Sequence, residues 1–70
     1  MNKTQKYLIE YICADVVDFI SKENNSPIDK AMDDFFKSKI FEILQDIESG
    51  LYTESSSYIY ELFLDEQKAA

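Results

Sequence analysis

The sequence predicts an all-α fold, a small bundle of four short helices, and three observations carry that expectation. One glycine and one proline among 70 residues leave little turn chemistry for many short strands. Apolar side chains recur at helical spacing from the beginning of the chain. Only "YIYELFLDEQ" is short enough to pass for a strand, and no second strand-like segment exists to pair with it. The whole chain, residues 1–70, reads as one domain.

The first helix is placed at 3–22. Leu8, Ile9, Ile12, Cys13, Val16, Val17 and Ile20 share one face, while Glu10, Asp15, Asp18 and Lys22 fall elsewhere. "KENNSPIDKAMDDFF" then supplies a turn at Asn24 and Asn25, an N-cap at Ser26 and a first helical residue at Pro27. The second helix, 27–36, is expected to turn Ile28, Ala31, Met32 and Phe35 inward.

A second apolar stripe, Phe36, Ile40, Ile43, Leu44 and Ile47, is rotated by roughly a quarter turn from the first. One straight helix would therefore face two directions. A break at Lys37-Ser38, with Ser38 capping a third helix at 38–48, resolves the conflict, as would a kink there in one continuous helix. Gly50 suits a left-handed stop, with Leu51 folding back on the last turn. The serines of "TESSS" offer caps for a fourth helix at 55–66, apolar at 58, 59, 62 and 63.

Composition removes several kinds of function. The net charge of −7 argues against nucleic acid and against an anionic membrane surface. No apolar run is long enough to span a bilayer, and the start of the chain lacks the continuous apolar core of a signal peptide. One cysteine cannot form an internal disulfide and suits a reducing, cytoplasmic setting. There is no histidine, the usual base for activating Ser or Cys, and no Cys/His cluster for zinc. Asp29 with Asp33, and Glu42 with Asp46, share helix faces but point away from the apolar stripes, as solvated surface does. Cys13 lies within an apolar stripe, as a small hydrophobe does. No catalytic residue, metal or cofactor is expected.

Protein binding survives. Tyr52, Tyr58, Tyr60 and Phe41 fall partly outside the stripes, and tyrosine favours interfaces because it joins a large ring to a polar tip. The expected role is a non-enzymatic interaction module, with a protein partner or a second copy of the chain. The alternative is an antitoxin-like or DNA-mimic inhibitor working through the acidic surface.

The series "AMDDFFKS…IFEILQDIESGLYTESSSYIYELFLDE" resembles a set of short, uncharacterised bacterial helical proteins. The matching positions are Ala31, Phe35 or Phe36, Ser38, Leu44, Asp46, Gly50, Leu51, Tyr52, Ser55, Tyr58 and Glu66. Gly-Leu-Tyr-x-x-Ser-x-x-Tyr is the distinctive part. Such proteins are often encoded beside toxin-like genes, so the resemblance implies an accessory or antitoxin-like binding role. It also singles out Ser38, Gly50, Leu51, Tyr52, Ser55 and Tyr58 as a polar-aromatic corner between the third and fourth helices. That corner would either cap helix ends or dock a partner.

Overall fold

The long first helix, α1 (Lys3–Asn24), is the spine against which the second and the last helices and one 3-10 turn pack. The computed structural model describes residues 2–69. α2 (Ile28–Phe36), α3 (Lys39–Gln45) and α4 (Ser56–Ala69) complete the bundle, with two 3-10 turns, Ile47–Ser49 and Leu51–Thr53, between α3 and α4. No strand occurs among the described residues. The radius of gyration, 11.5 Å, is close to the ~11 Å of a compact chain this long.

Side chains close the start of α1, and backbone amides close its end. Asn2 accepts from the Gln5 amide at 2.8 Å, and the Gln5 side chain accepts from the Asn2 amide at 3.0 Å, a reciprocal capping box. At the other end Asn25 turns left-handed, with φ 52°. The Ser26 amide reaches back to Ser21 and the Asn25 amide to Lys22, the paired bonds of a Schellman motif. The helix therefore runs two residues beyond the expected Lys22.

Pro27, rather than Ser26, occupies the cap position of α2. Its carbonyl accepts from Ala31 at 3.1 Å, while the Ser26 hydroxyl finds no hydrogen-bond partner. The Ser21 hydroxyl donates to the Ser26 carbonyl instead, tying the turn to α1.

The expected break at Lys37-Ser38 is present. Ser38 is extended (φ −79°, ψ 155°), accepts from the Phe41 amide and donates to the Phe35 carbonyl at 2.6 Å. α3 is shorter than expected, stopping at Gln45 rather than 48. Asp46 takes an extended ψ of 108° and accepts from the Glu48 amide, starting a 3-10 turn. Gly50 is left-handed at φ 72°, but it joins the two 3-10 turns instead of closing an α-helix. Ser55 caps α4 by accepting from the Tyr58 amide at 3.1 Å. α4 then runs to Ala69, three residues past the expected end.

The core joins Ile9, Ile12, Val16, Val17 and Ile20 of α1 to Ala31, Phe35, Ile40, Leu44, Ile59 and Phe63. Phe35 is fully buried and meets Phe41 and Phe63 edge-on, with ring centroids 5.5 and 5.8 Å apart.

Two expected stripes are only half inside. Ala31 and Phe35 are buried, yet Ile28 and Met32 stay 50% and 40% exposed. In the second stripe Ile40 and Leu44 are buried, while Phe36 and Ile43 are exposed. Tyr58 is exposed as well, although the fourth-helix pattern grouped it with buried Ile59 and Phe63. The physical reason is size: so short a chain has too few elements to cover every apolar face.

Candidate docking grooves

The six residues of the expected corner divide between two places. Gly50, Leu51 and Tyr52 lie in the 3-10 segment, and Ser55 and Tyr58 begin α4. Ser38 belongs to the other end of that helix. The Glu66 carboxylate reaches across from α4 to accept from the Lys39 and Ile40 amides at 3.0 and 2.9 Å, beside Ser38 at the start of α3. Along α4, Glu66 stands about 16 Å from Ser55. Ser38 thus seals the α2–α3 junction and is not part of the Gly50–Tyr58 cluster.

That cluster borders a mixed groove of about 610 Å³ between α1, the second 3-10 turn and the start of α4, largely apolar on its α1 wall and rich in hydroxyls on the other. Leu8, Tyr11, Ile12, Asp15 and Phe19 form one wall; Tyr52 and Thr53 to Ser57 form the other. Its polar groups are tied to one another. The Ser56 hydroxyl donates to Asp15 at 2.7 Å, and the Gln5 side-chain amide donates to the Tyr52 hydroxyl at 3.2 Å. These bonds clamp α1 to the α4 side of the bundle. Tyr52 and Leu51 are half-buried against the core, so both also fill space.

A second groove, of about 590 Å³, opens on the opposite side of α1. Ile9, Cys13, Ala14 and Val17 line its α1 side, Ile28, Met32 and Phe36 its α2 side, and Phe41 and Gln45 complete it from α3. Ile28, Met32 and Phe36 are spaced by four residues and form one stripe on α2. Phe36 is 43% exposed, and its ring packs on Phe41 at 4.9 Å between centroids. Its charged lining residues are Glu10 and Asp18, both carboxylates.

Cys13 sits in this groove with its thiol pushed up to about 11, first by burial and then by the negative charge of Glu10. Such a thiol is protonated at neutral pH and is a poor nucleophile. On the polar side, burial and then Glu23 raise the Tyr60 hydroxyl, whose ring packs on Phe19 at 5.3 Å. Among the described residues no group of three or more Cys, Asp or Glu side chains could hold a metal ion. No helix there is long and apolar enough to cross a membrane.

The apolar groove was missed at the sequence level because the α2 stripe was assigned wholly to the core. Of the four aromatics expected outside, Phe41, Tyr52 and Tyr60 are half-buried and Tyr58 is exposed. The most exposed aromatics are instead Tyr7 and Tyr11, at 64% and 56%, in contact on the outer face of α1. Their signal was available: both lie opposite the Ile9–Ile20 stripe, one turn apart.

No protein-family model matches the chain, and no curated protein or solved structure matches it. The resemblance to short bacterial helical proteins therefore rests on the Gly50-to-Tyr58 spacing and its flanking positions alone.

Proposed function

We propose that the protein is a non-enzymatic interaction module whose docking surface is the apolar groove between α1, α2 and α3, occupied by an amphipathic helix of another protein. The observation that carries this reading is the exposed stripe of Ile28, Met32 and Phe36 beside an open, apolar depression. Contiguous exposed apolar surface on a small protein favours a partner, and a groove between helices fits one apolar helix face. A cytoplasmic setting agrees with the single unpaired thiol, and an accessory or antitoxin-like role agrees with the resemblance.

The acidic-mimic reading draws less support. Asp18, Asp33 and Asp34 each lie within 3.5 Å of the lysine four residues away on the chain, which breaks up the pattern of negative charge.

Affinity capture with the wild type, Met32→Glu and Tyr58→Ala forms tests the reading. A stoichiometric protein retained by the wild type and by Tyr58→Ala, but lost by a folded Met32→Glu form, is the expected result. Retention by Met32→Glu with loss by Tyr58→Ala would move the docking surface to the corner.

A further inference from the structure

The charged residues that line the apolar groove are both carboxylates, and further carboxylates border the exposed stripe of α2. Glu10 and Asp18 line the α1 wall. On α2, Asp29 and Asp33 each follow a stripe residue, and about 100° per residue turns them to the edge nearest Phe36. No lysine lines the groove. Lys22 and Lys37 are paired with Asp18 and Asp33 at 3.0 and 2.8 Å, and Lys30, next to Asp29, is paired with Asp34 at 3.5 Å. Glu10 and Asp29 have no lysine partner among the described residues. Glu10 itself lines the groove, so this carboxylate borders the space an occupant would fill.

A second copy of the chain is a poor occupant. Its exposed apolar stripe, on α2, is itself edged by Asp29 and Asp33, and would bring carboxylates against carboxylates. With 14 acidic and 7 basic residues, each copy also repels the other as a whole. Resting on the groove reading above, we infer that the occupant is a basic amphipathic helix of another protein, its apolar stripe bordered on both sides by lysine or arginine. The apolar stripe fills the space between Cys13, Met32 and Phe36. The flanking cations meet Glu10 on one side and Asp29 on the other, the two carboxylates that have no lysine partner. Complementary charge steers encounter and selects the partner, while the apolar contact holds it.

The test uses three fluorescent helical peptides, each about 18 residues long, with leucines at i, i+3, i+4 and i+7 and flanks of lysine, glutamine or glutamate. Anisotropy gives affinity, and the alkylation rate of Cys13 reports whether the peptide lies in the groove. The lysine peptide is expected to bind at least about tenfold tighter than the glutamine peptide at about 50 mM salt, with the gap closing near about 500 mM. It also slows alkylation of Cys13, and a Glu10→Gln, Asp29→Asn variant loses most of the preference. If all three peptides protect Cys13 with equal affinity, the groove reading stands and the basic partner falls. If none protects it, the groove reading itself falls. Concentration-dependent dimers in sedimentation that Met32→Glu abolishes would install a second copy as the occupant and overturn the inference.

Discussion

The two grooves beside α1 have nearly equal volumes, about 590 and 610 Å³, and differ in how many polar groups their walls carry. On the polar side, Asp15, Ser56, Gln5 and Tyr52 are already bonded to one another across the bundle. A ligand entering there would have to strip water from these groups or break their bonds, and both cost free energy. On the apolar side, half-exposed Ile28, Met32 and Phe36 have no neighbour that covers them. Covering each would contribute about 1 kcal/mol from hydrocarbon leaving water. Equal volume therefore says little about use. What separates the grooves is whether the walls have already spent their interactions on the fold.

That contrast can be broken by mutation. Met32→Glu combined with Phe36→Glu is expected to weaken binding of the lysine-flanked peptide by about 100-fold or more. Its unfolding midpoint in urea should fall less than binding does, since the two side chains are 40% and 43% exposed and the main packing lost is that of Phe36 on Phe41. A collapse of stability without a change in affinity would invert the roles of the two grooves. Asp15→Ala is expected to do the opposite, lowering stability by about 1–2 kcal/mol as the Ser56 hydroxyl loses a charged acceptor. Peptide affinity should be unchanged. Tyr52→Phe sharpens the same point more gently, costing about 0.5–1 kcal/mol by removing the bond to Gln5 while keeping the ring.

A separate effect concerns pH. The Cys13 thiol ionises near 11 in the folded chain against an ordinary 9.0, so between these values the folded state holds the proton more often. Its contribution to stability therefore falls as pH rises from about 9 to 11. A Cys13→Ala variant should show a shallower decline there than the wild type.

Much of the fold was legible because it depends on local chemistry. The Ile9-to-Ile20 periodicity placed α1, and the misaligned stripes of α2 and α3 exposed the break that Ser38 caps. Gly50 announced its left-handed turn. What the sequence could not convey was which half of an amphipathic stripe is covered. Ile28 and Met32 have the same spacing as Ala31 and Phe35, and only the directions of α1 and α3 decide which pair is buried. The ends of α3 and α4 were misjudged for a related reason. The Asp46 cap closes α3 early, competing with a helical pattern that continues to Ile47. The Glu66 contact with α3 joins positions 26 and 27 residues apart, beyond the reach of any local signal.

That same clasp has a consequence for how the chain opens. α3 has only seven residues, well below the roughly 12–15 at which an isolated helix becomes even marginal in water. Its first turn therefore depends on a carboxylate that arrives only once α4 has docked. The Ile40 amide should accordingly exchange its hydrogen through the rare events that release α4, and not through fraying of α3. In a protein this small, that amide becomes a gauge of global rather than local opening, and Glu66→Gln should quicken its exchange before that of amides in the middle of α1.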